Sequence, residues 1–155
     1  MSMKYEAALE VCKRHADRLS WAMGQLQSKF PLTAAGMHEL NDTDLAILDQ
    51  FTTRFAKLQD AMGANLFPAV LELTKEQGNL AAFLDILNRL EKIGAIPSTE
   101  RWLLLREMRN QFSHDYPDDP VIQSAMLNKA FLLANDLLAA LGRIESFAKK
   151  YHDVL

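Results

Sequence analysis

The sequence predicts an all-α, up-and-down bundle of about five helices. Three observations carry that expectation. Apolar residues recur every three or four positions along almost the whole chain. Gly and Pro stand at boundaries or kinks, and no run keeps the alternation of a strand. At 155 residues the chain fits one domain, 1–155, with room for a real core.

The elements follow in order. Tyr5, Ala8, Leu9, Cys12, Ala16, Leu19, Met23 and Leu26 mark one long amphipathic helix. Pro31 and Gly36 break the pattern, and residues 30–41 read as a loop. Asp42 or Thr43 is placed to cap a helix through Leu45, Leu48, Phe51, Phe55, Leu58 and Met62. Gly63 and Pro68 should kink or split it, with helix resuming over 69–77. Gly78-Asn79 is a stop signal. A further helix runs from Leu80 through Leu84, Leu87, Leu90 and Ile93 to Gly94. Ile96-Pro97 reads as a turn, because the residue before proline avoids helical angles. Ser98 or Thr99 caps the next helix, through Trp102, Leu105, Met108 and Phe112, which Pro117 and Pro120 close. The last helix fills roughly 121–151. Its apolar stripe is too broad for one neighbour, which implies a second contact, deeper in the bundle or across a dimer interface.

Composition narrows the function classes. Hydrophobic residues make up 49% and charged residues 24%, the balance of an ordinary globular protein. A net charge of -3 argues against a protein that coats nucleic acid broadly, although it allows a local basic cleft. Cys12 is the single cysteine, so neither an internal disulfide nor a cysteine-rich zinc site can form. That usage fits a reducing, cytoplasmic setting. No targeting segment is visible at the N-terminus. The most apolar region, 130–141, is interrupted by Asn135 and Asp136, so no membrane span is expected. His15, His38 and His152 lack metal-ligand spacing, no H-E-x-x-H occurs, and no glycine-rich phosphate loop is present. Neither a metal nor a cofactor is expected.

The chemistry concentrates in Arg109-Asn110-Gln111-Phe112-Ser113-His114-Asp115-Tyr116, at the end of a helix. A permanent cation, a neutral amide and a proton shuttle near neutral pH suit the handling of a phosphodiester. Arg106, Asn110 and His114 lie four apart on one face, with Arg109 and Ser113 on the neighbouring stripe. In a straight helix Arg109 and His114 are offset by about 140°. They converge if the arginine reaches around, if the helix loosens near Ser113, or if a second copy supplies the missing partner. Arg109 and His114 also suit an ion pair or a helix C-terminal cap. Asn110 could bond a helix-end carbonyl. Arg106 serves either as a second phosphate contact or as the surface partner of an acid. Trp102 is either a base-stacking platform or core.

The R-N-x3-H pattern at a helix end resembles the signature of HEPN domains, all-α modules that handle nucleotides and RNA. Tyr116 extends it to R-x4-H-x-Y, a form similar to the HEPN toxins encoded beside a minimal nucleotidyltransferase (MNT) antitoxin. Leu87, Leu90, Gly94-Ala95-Ile96-Pro97, Leu103 and Leu105 continue the likeness upstream, and it is specific over about 80–116. The resemblance implies a HEPN-like fold, also described as like the substrate-binding subunit of a split nucleotidyltransferase. It implies a homodimer whose motif helices share a cleft, and a metal-independent RNA endonuclease acting as a toxin. In that picture the RNA 2′-OH attacks the adjacent phosphorus. His114 acts as general base or acid, Arg109 holds the phosphate, and Asn110 orients either. Arg106 and Ser113 are further candidates for phosphate contact. The antitoxin would neutralise the enzyme, in one version by attaching AMP to Tyr116. The alternative is a non-catalytic subunit that binds a nucleotide or a partner. Ser113 departs from the aliphatic residue of many relatives. The cluster Asp115, Asp118 and Asp119 would repel RNA near the cleft mouth.

Overall fold

The computed structural model describes residues 2–74, 82–113 and 118–152. Its described part is all-helical. Ser2 starts α1 (Met3–Leu26), its hydroxyl accepting from the Tyr5 N–H at 3.3 Å. The buried face of α1 is the predicted stripe, from Tyr5 and Cys12 through Leu19 to Leu26. It packs chiefly against α3 (Asp42–Ala61). Three side-chain pairs show that the two run antiparallel: Lys4 with Glu72 beyond the end of α3, His15 with Arg54, and Lys29 with Asp44.

Residues 30–41 are not all loop. Thr33 accepts from the Gly36 N–H at 2.9 Å and starts the six-residue helix α2 (Ala34–Glu39). Pro31 precedes the cap, and Gly36 is tolerated in the first turn, so neither prevents the helix. The segment is pinned to α7 (Pro120–His152). Asn128 of α7 accepts from the Leu32 N–H at 2.7 Å and donates to its carbonyl at 2.9 Å. The cap of α3 falls one residue earlier than expected, at Asn41. Asn41 and Asp44 bond each other's backbone N–H groups in a reciprocal capping box.

The interruption near Gly63 and Pro68 is a π turn, Met62–Leu66, in which the Phe67 N–H reaches back to the Met62 carbonyl. Proline cannot donate, and its ring collides with the carbonyl four residues back, here Ala64. Widening the backbone at that residue accommodates the ring. The helix then continues as α4 (Phe67–Leu73). The expected stop at Gly78-Asn79 and the start at Leu80 lie outside the described residues.

Helix α5 (Phe83–Lys92) ends at Gly94, whose φ of 86° suits only glycine without strain. The Gly94 and Ala95 N–H groups bond the Glu91 and Leu90 carbonyls, a Schellman close. Ser98 then caps α6 (Thr99–Gln111), accepting from the Arg101 N–H at 2.9 Å. Glu91 and Asn88 of α5 bond the Thr99 backbone and hydroxyl, which fixes the start of α6 on α5.

Helix α7 has 33 residues. By length and composition it is long and apolar enough to cross a membrane, with mean hydropathy 1.2 over its most apolar window, which the interruption at Asn135 and Asp136 did not lead us to expect. Only 33% of that window is buried inside the fold. Leu127, Ala130, Ala134, Leu137, Leu141 and Ile144 form the buried stripe, and Met126, Phe131, Leu133 and Leu138 are half-buried. Most of the broad apolar face is therefore spent within the bundle. Leu132, 71% exposed, is the clearest remainder.

Cys12 is fully buried and its thiol is pushed up to about 12 by desolvation. The native protein should therefore resist a thiol-specific reagent at pH 8. The same chain in denaturant should react at once. Prompt modification without denaturant would contradict the packing of α1.

Candidate functional site

The last turn of α6 presents its polar residues in three directions. Arg109 turns toward α3. Its Nε and Nη2 donate to the two carboxylate oxygens of Asp60 at 2.7 and 2.8 Å. The side chains are 30% and 48% exposed. The hydrogen bond to Asp60 raises the Arg109 pKa above its ordinary value, so the guanidinium stays charged at any working pH. Side-on pairing uses two of the five guanidinium N–H groups and leaves both on Nη1 and one on Nη2. The arginine is thus oriented and keeps donors for a further anion. The carboxylate also offsets its charge, so a phosphate here meets a near-neutral pair.

Arg106 turns instead toward α5, with its guanidinium 4.9 Å from the centre of the Phe83 ring. It makes no ion pair among the described residues. Asn110 is exposed. Its carbonyl accepts from the Ser113 N–H at 3.1 Å and from the Ser113 hydroxyl at 2.8 Å. That spacing closes the helix as a tighter turn at Phe112 and Ser113. The Asn110 amide itself has no hydrogen bond among the described residues. Ser113 must release its own helix end before it can hold a phosphate. His114 and Tyr116 lie outside the described residues, as does Asp115. Asp119 accepts from the Val121 N–H at 2.9 Å at the start of α7. Trp102 is core, 2% exposed, with its ring 4.5 Å from that of Phe67.

A cavity of about 350 Å³ opens beside this helix end. Gln59 and Asp60 from α3, Gly63 and Ala64 from the π turn, Phe83 from α5 and Arg106 from α6 line it. Three separate features therefore meet at one place: the Arg106 charge, the Asp60–Arg109 pair and the irregular turn, a type of defect frequent at functional sites. Sequence reasoning missed Gln59 and Asp60. Both sit in an ordinary helical pattern, and only the packing of α3 against α6 brings them to the cavity. It also missed an arginine–histidine contact. Arg54 Nη1 lies 2.9 Å from His15 Nδ1, and burial first, then Arg54, holds that imidazole below its usual pKa. Among the described residues no group of acids, histidines and cysteine is placed to hold a metal ion.

No protein-family model matches this chain, and neither a curated protein nor a solved structure shows significant similarity to it.

Proposed function

We propose that this chain is a HEPN-type, metal-independent RNA endonuclease, the toxin of a toxin–antitoxin pair whose antitoxin is a minimal nucleotidyltransferase. One observation carries the reading. The motif helix ends at the surface with Arg109 oriented but not sealed, and Arg106 beside it at the mouth of a cavity. An arginine held by Asp60 with donors to spare is suited to a phosphodiester oxygen and to the charge that develops on it. His114 supplies proton transfer, and Asn110, whose amide makes no hydrogen bond among the described residues, orients the imidazole or the phosphate. Arg106 and Ser113 add phosphate contacts.

The homodimer belongs to the same proposal. Leu103 and Leu104 are 39% and 44% exposed on α6, one to two turns before Asn110, and offer apolar surface for a second motif helix. AMP attached to Tyr116 would bring a bulky anion to the helix end and block it. A cytoplasmic setting goes with an RNA target.

The test is cleavage of single-stranded RNA by the purified chain with and without EDTA. Undiminished cleavage in chelator is expected. Activity that vanishes with EDTA and returns with a divalent ion overturns the metal-free reaction. The neutralised charge of Arg109 favours a second reading, a nucleotide-binding subunit without turnover. Tight nucleotide binding with no cleavage under any condition would select it.

A further inference from the structure

Gln59 is the unexplained residue of the cavity. It is 3% exposed, yet its amide has no hydrogen-bond partner among the described residues. Leaving a buried amide unpaired costs free energy that folding does not recover. Gln59 is also one of the residues that line the cavity. An amide in that position offers one donor face and one acceptor face to whatever enters.

The rest of the lining describes the guest. The Phe83 ring and the Arg106 guanidinium, 4.9 Å apart, provide flat π and cationic surfaces. Gly63 keeps the wall low: a Cβ there would stand 3.4 Å from the Phe83 ring and 3.7 Å from Trp102. Asp60 spends its carboxylate on Arg109 but keeps lone pairs for an incoming N–H. A planar heterocycle with an amino group beside a ring-nitrogen acceptor matches all four. Single-stranded nucleic acid is recognised in this way, with a base stacked on aromatic or arginine surfaces and its edge read by an amide.

We infer that the cavity between α3, the π turn, α5 and α6 binds one unstacked, amino-bearing nucleobase, adenine or cytosine, with Gln59 reading its edge and Phe83 and Arg106 as its platform. Uracil would set its O4 against the Asp60 carboxylate and is disfavoured. The inference rests on the reading of the substrate as RNA and names the base that flanks the phosphate at Arg109. A free nucleotide presents the same chemistry, and the test separates the two.

The experiment measures binding, so a protein that cuts nothing can still pass it. Labelled oligo(A), oligo(C) and oligo(U) are titrated against the full chain by fluorescence anisotropy, with unlabelled AMP and UMP as competitors. Oligo(A) or oligo(C) should bind about tenfold or more tighter than oligo(U). Gln59→Leu removes the amide and keeps most of the volume, and should erase that preference with an unchanged melting curve. Phe83→Leu should weaken all three oligonucleotides together and leave the preference in place. Saturable binding of AMP alone, still dependent on Gln59, assigns the pocket to a free nucleotide. Equal affinity for the three oligonucleotides, a preference that survives Gln59→Leu, or no binding of oligonucleotide or AMP overturns the inference. Loss of cleavage with the preference intact counts only against the nuclease proposal.

Discussion

Arg109→Ala and His114→Ala should each lower RNA cleavage by roughly 10²–10⁴-fold while the circular dichroism spectrum stays native. The arginine variant loses the oriented donors. The histidine variant loses the group able to move a proton near neutral pH. Asp60→Asn is the informative companion. Asparagine can still accept one guanidinium N–H, but it cannot accept both as a charged fork. Cleavage should fall about tenfold through misorientation of Arg109. Stability should change by less than about 1 kcal/mol, because the pair is largely open to solvent. A purely structural pair predicts another pattern. All three variants would cleave as well as the parent, and Arg109→Ala and Asp60→Asn would share one small drop in melting temperature.

The largest effect on stability is expected at Phe55. Its side chain is fully buried, 6.4 Å from the Phe51 ring and 5.4 Å from Phe112 in an edge-on contact at 89°. Phe55→Ala removes that volume from a core that relaxes only partly, at a cost of about 3–5 kcal/mol. Domains of this kind hold about 5–15 kcal/mol in total, so a drop in Tm of roughly 10 °C is expected. The contact with Phe112 extends the consequence to function, because Phe112 is the residue on which α6 ends. Leu132→Ala, at an exposed position of α7, should change stability by less than about 0.5 kcal/mol. Equal melting curves for the two variants would mean that the aromatic contacts do not carry the core.

The helices were legible because burial in this bundle follows the spacing of apolar residues. Leu87, Leu90, Trp102, Leu105 and Met108 are buried where the three-to-four repeat put them. Ser98 could be read as a cap from its place after Pro97. Local choices with two good answers were not legible. Asn41 and Asp42 are both sound caps, and only the reciprocal bond from Asp44 selects the first. Thr33 could have started a helix or ended a loop, and the outcome depends on Asn128, far along the chain. The site was half legible. The motif marked Arg109, but the carboxylate that orients it lies 49 residues earlier on α3. Gln59 carries no sign in its neighbours that it will be buried with no partner for its amide among the described residues.

The π turn carries a consequence for how this chain can diversify. Because surplus backbone is stored at 62–66, α3 before it and α4 after it each keep their own phase toward the core. A homologue with one residue fewer there, and a residue other than proline at position 68, could straighten the rod without redirecting Phe55 or Phe67. What would change is the shape of the wall that Gly63 and Ala64 provide. Cavity shape and folding are thereby uncoupled at one point of the chain, and that point is where paralogues would be expected to differ in length.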